Sequence, residues 1–238
     1  LVGLNLGAGD PVHVRVRRAD ANPSNAASLR FSVEFSETVT GVDALDFSPT
    51  GGVSGAVITG VSGSGSRYTV TLTTGSGDGS LGLGLSATPS ILDGAGQPYS
   101  QLQFNGESYQ IDKTAPSVLS IARGGVSPTA AANLPFTVTF SEAVTGLGLE
   151  DFVATAPSMP GVSIGSLTTL NNTTWTVNVN TVAGAGSLRL DIPHGAVIMD
   201  LAGNPLGAPY TAGESYTVDR LPPTVLSILR AGVSPTHA

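Results

Sequence analysis

The sequence predicts an all-β chain made of repeated sandwich modules, and three observations carry that prediction. The stretch ESYQIDKTAPSVLSIARGGVSPT at 107–129 returns as ESYTVDRLPPTVLSILRAGVSPT at 214–236. Short runs with every second residue apolar fill the space between the copies, as in half-buried strands. Turn-forming residues separate the runs, and the chain holds 31 Gly and 16 Pro. A repeat of this length is typical of an array of like modules.

The register of the repeat can be followed through the whole module. FSETVTG at 35–41 matches FSEAVTG at 140–146, and LDGAGQP at 92–98 matches MDLAGNP at 199–205. The copies are offset by 105 positions before the middle loop and by 107 after it, so the second copy carries two extra residues there. A surface loop tolerates such a change in length.

The register also predicts the domain boundaries. We name residues 12–112 the first repeat and residues 113–219 the second repeat. Residues 1–11 align with the last strand and linker of a preceding repeat, and residues 220–238 align with the first strand of a third. We therefore expect the sequence to be a segment of a longer array.

Seven strands are predicted in each repeat. In the first repeat they lie at 12–18, 29–36, 45–49, 53–61, 66–73, 80–87 and 103–111. Turn chemistry falls between them, for example at Asn22-Pro23 and at Gly75–Gly79. Seven strands in about 100 residues is the count and size of an immunoglobulin-like sandwich.

Aromatic residues are scarce, so Val, Leu and Ile must fill most of the two cores. The large core residues expected in the first repeat are Phe31, Phe35, Tyr68, Phe104 and Tyr109. Those expected in the second repeat are Phe136, Phe140, Trp175, Tyr210 and Tyr216.

Composition excludes several partners. The formal net charge is −7 and only 11% of residues are charged, so we expect no binding to nucleic acid, whose phosphates such a surface repels. No run approaches the roughly 18–20 apolar residues of a spanning helix, so we expect no membrane span. There is no cysteine, and each module must therefore be stabilised by its core.

Several motifs together resemble a known family. They are DKTAP at 112–116, the V-x-F-S-E-x-V-T-G pattern at 33–41 and 138–146, and the D-x-A-G-x-P turn at 93–98 and 200–205. In this combination the chain resembles the bacterial immunoglobulin-like repeats of large surface proteins and adhesins. The resemblance implies an extracellular, secreted, tandem β-sandwich that serves as a stalk or adhesive segment, although such modules also decorate secreted enzymes.

The carboxylates recur in register and predict a metal site. Five pairs match across the repeats: Glu37/Glu142, Asp46/Asp151, Asp93/Asp200, Glu107/Glu214 and Asp112/Asp219. In a sandwich of this connectivity, the loops that hold Glu142 and Asp200 share a pole with the linker that holds Asp112. Oxygen ligands from separate segments are what Ca²⁺ uses, and we hypothesise a Ca²⁺ site made by these three residues.

The same register assigns further candidate ligands. Asp219 would take the role of Asp112 for a third repeat, and the first repeat would use Glu37 and Asp93, with Asp10 in place of the absent linker acid. The alternative interpretation is that the aspartates only shape turns by accepting hydrogen bonds from the amides that follow them. Sequence leaves both interpretations open.

Two other acids are expected to face the core. Glu107 and Glu214 share strand parity with Tyr109 and Tyr216. They are either additional ligands or carboxylates bonded to backbone amides.

No catalytic set can be assembled from the sequence. His13, His194 and His237 are far apart in the register and do not recur, so we expect no enzyme. The glycine-rich run at 75–79 is predicted to be a hairpin turn.

Three functions remain possible. The first is a spacer or adhesive stalk, stiffened by proline and by Ca²⁺, whose partners are neighbouring repeats and a cell-surface or glycan ligand. The alternative is a self-assembling subunit of a filament or surface layer that exchanges the strands at 2–6 and 224–229 with identical chains. A carbohydrate-binding or enzyme-accessory module is the third possibility.

Overall fold

The structure, a computed structural model, describes residues 12–100 and 106–232. The described chain divides into two compact units. The first unit contains the residues up to Pro116 together with Ile198–Gly207, and the second contains Ser117–Val197 and the residues from Ala208 onward.

Seven strands of the first unit form two antiparallel sheets. The strands are β1 Val14–Arg18, β2 Ser28–Phe35, β3 Phe47–Gly51, β4 Ile58–Ser64, β5 Arg67–Thr73, β6 Gly79–Leu85 and β7 Tyr109–Ile111. One sheet has the order β1-β2-β5-β4 and the other has the order β3-β6-β7. Lettered in chain order these are A-B-E-D and C-F-G, the strand order of a constant-type immunoglobulin sandwich.

The second unit repeats this order. Its strands are β8 Val118–Arg123, β9 Asn133–Phe140, β10 Val144–Thr145, β11 Val153–Thr155, β12 Ser163–Thr169, β13 Thr174–Asn180, β14 Ala185–Asp191 and β16 Ser215–Asp219. Strand β15, Met199–Asp200, belongs to the segment Ile198–Gly207 that is counted with the first unit. Its four-stranded sheet is β8-β9-β13-β12 and its three-stranded sheet is β11-β14-β16. The predicted fold class, an all-β immunoglobulin-like sandwich, is confirmed.

Alternation of apolar and polar residues explains why these runs are strands. In β2, Phe31, Val33 and Phe35 are buried while Arg30 and Ser32 are exposed. Successive side chains of a strand point to opposite faces, so one face of this sheet packs into the core and the other faces solvent.

Residues from both sheets meet in the core of the first unit. Val33 and Val70 come from the four-stranded sheet, and Leu81 and Ile111 come from the three-stranded sheet. Phe31 packs edge-on against Tyr109 with ring centroids 5.0 Å apart, and Phe136 and Tyr216 make the same contact in the second unit at 5.2 Å.

Some large core residues differ from expectation. Trp175 is only half-buried because its indole N–H donates to the carbonyl of Asn172 at 3.0 Å, which holds the ring at the surface. Tyr210 is also half-buried, whereas Tyr99, which the sequence analysis missed, is buried. Phe104 lies outside the described residues.

The fourth strand begins later than the sequence predicts. The sequence predicts a strand throughout 53–61, but β4 starts at Ile58. Gly55 adopts a left-handed φ of 77°, and Val53 and Ala56 pack against the core from a loop instead of a strand. Their apolar spacing therefore imitates a strand.

Helical structure in the described chain comprises two 3₁₀ turns, Ala44–Asp46 and Leu149–Asp151. Within the described residues, no helix has the length and apolar character needed to cross a membrane.

The segment that follows β16 carries a strand-like sequence without forming a strand. Residues 221–232 are all exposed, and Ile228 is 90% exposed. Ile121, its counterpart in β8, is 1% exposed. The first strand of a third repeat stays a prediction, and the predicted last strand of a preceding repeat, at residues 1–11, lies outside the described residues.

Candidate metal centre

Asp200 is the most rigidly held of the predicted ligands. It ends β15, and its Oδ1 accepts hydrogen bonds from the amides of Ala202, Gly203 and Asn204 at 2.8, 2.7 and 2.9 Å. The side chain is buried, at 3% exposure. This is the turn geometry of the alternative interpretation, and it also fixes the direction of Oδ2.

Asn204 connects this turn to the linker. Its Nδ2 donates to Asp200 Oδ2 at 2.7 Å and to the carbonyl of Asp112 at 3.0 Å. Its Oδ1 accepts from the Asn25 amide at 3.1 Å. The sequence analysis did not identify Asn25 or Asn204 as part of the site. The available signal was that Gln97, also a side-chain amide, stands at the position of Asn204 in the first repeat.

Asp112 lies at the start of the linker that follows β7. Its amide donates to the carbonyl of Ser24 at 3.2 Å, and its Oδ1 accepts from the Thr114 amide at 3.0 Å. The carboxylate is therefore oriented by its own backbone, with Oδ2 outside this turn.

Three of the predicted ligands come together. Asp112, Glu142 and Asp200 each offer one carboxylate oxygen, and these oxygens lie within 4.8 Å of one another. Oxygens bound to one Ca²⁺ at about 2.3–2.6 Å lie at most about 5.2 Å apart. Asp112 and Glu142 are half-buried and Asp200 is buried, so the donor set fits a hard cation.

The corresponding acids of the first repeat are arranged differently. Asp93 Oδ1 accepts from the amides of Ala95 and Gln97 at 2.8 and 2.7 Å, and Glu37 is exposed. In residues 12–100 no three acids form a comparable group. Asp93 therefore fits the turn interpretation.

The last two predicted ligands are less informative. Asp219 is exposed, and its Oδ1 accepts from the Leu221 amide at 3.1 Å, as Asp112 does with Thr114. Asp10 lies outside the described residues.

The expectation that Glu107 and Glu214 face the core is wrong, because both are exposed. Glu107 Oε2 accepts from the Arg18 amide at 2.9 Å, and Glu214 Oε2 accepts from the Arg123 amide at 2.8 Å. The Arg123 amide, and then its guanidinium, lower the pKa of Glu214. The geometry is that of carboxylates bonded to backbone amides.

Asp78 has a role that sequence reasoning missed. Its Oδ1 accepts from the Lys113 amide at 2.6 Å, and its Oδ2 accepts from the Thr114 hydroxyl. These bonds lower the pKa of the Asp78 carboxyl, the amide bond most of all. Asp78 thus fastens the start of the linker to β6, and Ala185 stands at its place in the second repeat.

Asp46 and Asp151 are buried and structural. Asp46 accepts from the amides of Asp43 and Ser90 at 2.7 and 2.6 Å. Asp151 accepts from the amides of Gly148 and Val197 at 2.8 and 2.9 Å. Each carboxylate closes a 3₁₀ turn and ties it to a distant loop of its own unit.

The histidines form no site in the described part of the chain. His13 and His194 are exposed, and His237 lies outside the described residues.

Several solved structures are similar to this chain. FdeC, an Escherichia coli adhesin, is 18% identical over 88% of this chain and 66% of its own, with a TM-score of 0.46. InvD of Yersinia pseudotuberculosis is 18% identical over 86% of this chain and 56% of its own, with a TM-score of 0.36. The adhesin InvE of the same organism is 13% identical over 90% of this chain and 62% of its own, with a TM-score of 0.33.

This chain thus spans less than two thirds of the length of each of these three structures. No protein-family model matches the sequence, and no curated protein matches it either. The A-B-E-D and C-F-G strand order of its own sheets identifies the fold as immunoglobulin-like.

Proposed function

We propose that this chain is a non-catalytic, extracellular segment of a large surface protein, a stalk or adhesive spacer whose repeats are linked rigidly by Ca²⁺. The observation that carries the proposal is the group of three carboxylate oxygens from Asp112, Glu142 and Asp200. Asp112 belongs to the linker of the repeat, so an ion held there restrains the linker.

The residues around the group prepare it for a cation. Asn204 holds Asp200 Oδ2 and the Asp112 backbone at fixed distances, and the turn amides hold Asp200 Oδ1. A bound Ca²⁺ supplies charge neutralisation and coordination by six to eight oxygens. Three carboxylates close together repel one another without a cation, so the ion stabilises the arrangement.

The linker itself favours a spacer over a flexible tether. Its start is bonded to Ser24 and to Asp78, and Pro116 restricts the backbone that follows. A short linker with these restraints behaves as a semi-rigid connection rather than as a random coil.

Calorimetric titration with Ca²⁺ tests the proposal, using protein that has been stripped of metal with a chelator and then freed of the chelator. We expect wild-type binding heat and a raised melting temperature, both lost when Asp112→Asn and Glu142→Gln are combined. Asp200 is left intact because its turn needs it. The control combines Asp93→Asn with Glu37→Gln, which makes the same two kinds of substitution at acids of the first repeat, and we expect this variant to bind Ca²⁺ as wild type does.

Two outcomes would contradict the metal site. One is the absence of binding heat in the wild-type protein at millimolar Ca²⁺. The other is equal loss of Ca²⁺ binding in the control variant, which would move the site away from Asp112 and Glu142.

Exposure of the segment after β16 favours a second candidate, a self-assembling subunit of a filament or surface layer. Leu226 and Ile228 are 95% and 90% exposed, and they lie two residues apart, as core residues of one strand do. Such a segment can complete a sheet of an identical chain. Sedimentation of the purified protein, with and without residues 221–238, separates the candidates, since the spacer stays monomeric in both forms.

A further inference from the structure

We propose that the outer face of the sheet β1-β2-β5-β4 binds an anionic polysaccharide, with Arg15 and Arg17 as the principal contacts. This site is independent of the calcium proposal, because none of its residues belongs to the acid group around Asp200. It assigns a ligand class to a surface of the first unit.

Strand register places the charged residues in rows across the sheet. Arg15 of β1 lies opposite Glu34 of β2, which lies opposite Arg67 of β5. In the next row Arg17 lies opposite Ser32, which lies opposite Thr69. Rows are about 6.8 Å apart along a strand and strands about 4.8 Å apart, so the two rows form one flat patch.

Two of these arginines are available to a ligand. Arg15 and Arg17 are exposed, and no hydrogen bond or ion pair joins either side chain to another described residue. By contrast, Arg67 donates to Glu34 at 2.9 Å, and Arg30, next to these rows, is paired with Asp20 at 2.6 Å. The unpaired guanidinium groups therefore lie side by side on one edge strand.

The second unit offers a comparison in the same fold. Where the first sheet has Arg15 opposite Glu34, the second has Ser120 opposite Thr139. Where the first has Arg17 opposite Ser32, the second has Ala122 opposite Thr137. The fold does not require charge at these positions, which leaves the arginines of the first repeat available for a ligand.

The overall negative charge does not prevent local binding. The chain carries a net charge of −7, but exposed charges beyond about 8 Å are largely screened at physiological salt. Within the patch, Arg15, Arg17, Arg30 and Arg67 outnumber Asp20 and Glu34.

The chemistry of the patch selects the kind of anion. Arginine presents a planar fork of donors that matches carboxylate and sulfate groups, and Ser32, Thr69 and Thr71 add hydroxyls between the strands. The face lacks the aromatic anchors that dominate protein interfaces and that stack on nucleic-acid bases. A hydrated chain with regularly spaced carboxylates or sulfates fits these groups.

Heparin serves as a sulfated and carboxylated probe to test the proposal. Its binding is measured by calorimetry or surface plasmon resonance in the presence of EDTA. We expect wild-type protein to bind heparin and not neutral dextran, with affinity that falls as salt rises. The double variant that combines Arg15→Gln and Arg17→Gln should bind heparin at least tenfold more weakly. It should also make the fall of log affinity with log salt shallower by about 1.4, the value for two lost phosphate contacts on a single-stranded nucleic acid.

Two matched variants make the test specific. The double variant that combines Lys113→Gln and Arg230→Gln removes two positive charges outside this face and should leave heparin binding unchanged. The double variant that combines Ser120→Arg and Ala122→Arg places the same pair of arginines on the second repeat and should bind heparin more strongly. An unchanged melting temperature of the Arg15/Arg17 variant shows that its fold is intact.

Several results would overturn the assignment. One is equal affinity of the wild-type protein for heparin and for dextran. Another is a loss of heparin affinity in the Lys113/Arg230 control as large as that in the Arg15/Arg17 variant. Equal binding of a DNA duplex would make the face a general polyanion contact. Self-association that is lost with Arg15 and Arg17, without heparin binding, would instead assign the face to a second copy of the chain.

Discussion

At the scale of single residues, one tyrosine organises each unit. The Tyr109 hydroxyl accepts from the amides of Ala19 and Asp20, both at 2.8 Å, and donates to the carbonyl of Arg30 at 2.6 Å. It therefore ties β7 to the loop after β1 and to β2. Burial is the largest cause that raises the pKa of Tyr109, and the hydroxyl stays protonated at neutral pH.

Tyr216 occupies the same place in the second unit. Its hydroxyl donates to the carbonyl of Pro135 at 2.8 Å, and Pro135 corresponds to Arg30 in the register. The recurrence explains the E-S-Y motif of the repeat as a structural signature, because the tyrosine joins strands that are distant in sequence.

Replacement of Tyr109→Phe should destabilise the first unit by about 1–3 kcal/mol, because two amides and one carbonyl lose their shared partner at a partly buried place. Chemical denaturation measures the free energy of unfolding. Tyr99→Phe is the control. Tyr99 is also buried, but its hydroxyl takes no part in the hydrogen-bond network of Tyr109. Equal losses in the two variants would show that packing, rather than hydrogen bonding, gives Tyr109 its role.

At the scale of elements, the β4 and β12 edges of the four-stranded sheets are built against pairing. The pairing of β4 with β5 shifts register between Ile58 and Gly60, and that of β12 with β13 shifts between Ile164 and Ser166. A bulge on an edge strand disturbs the ladder of donors and acceptors that another strand would need. These edges are therefore poor sites for assembly, and the strand-exchange candidate depends on the segment after β16 instead.

The first strand of each repeat is held to the last by an acid. Glu214 precedes β16, its amide donates to the carbonyl of Ile121 in β8, and its carboxylate accepts from the Arg123 amide. The bonded carboxylate has a lowered pKa in the folded chain. Its contribution to stability is present above the unfolded pKa, near 4.3, and is lost as pH falls through the lower folded pKa.

The melting temperatures of wild type and Glu214→Gln should therefore converge in acid. We expect the variant to be less stable at pH 7, and the difference to shrink below about pH 4. Tyr216→Phe is the control, because burial raises the pKa of Tyr216 and its cost stays constant across this range. A difference between wild type and Glu214→Gln that did not change with pH would contradict the role assigned to the carboxylate.

At the scale of the whole molecule, the sequence predicts the fold better than the site. Alternation located β2 and β5 to within a residue of their observed bounds, because each has one buried face. It misplaced the start of β4, because Gly55 and its neighbours form a loop with strand-like apolar spacing. Local pattern cannot distinguish a strand from a loop that packs two side chains on a core.

The candidate metal site was predictable because register and connectivity decide which loops share a pole. Asp112, Glu142 and Asp200 lie together as the register suggested, while the binding of an ion stays a prediction. The bonds of Asn204 to Asp112 and Asp200 were not predictable, since they need the fold of its turn in three dimensions. The rows of Arg15 and Arg17 likewise follow from strand pairing, which sequence alone does not provide.

The two compact units should unfold in separate transitions. Each has its own buried aromatic pair and its own two sheets, and Val70 and Val177 occupy equivalent core positions, both fully buried. Val70→Ala and Val177→Ala each remove two methyl groups and should cost about 2 kcal/mol.

Calorimetry of the chelated protein should then show two transitions, with each variant lowering a different one by roughly 8 °C or more. Leu45→Ala, at a residue 84% exposed, should lower neither. Addition of Ca²⁺ should draw the transitions together, because an ion that binds ligands from the linker and from both flanking loops is released only when its site opens. A single transition that both variants lower equally, in the absence of Ca²⁺, would mean that the units already fold as one cooperative body and that rigidity in this chain does not depend on a metal.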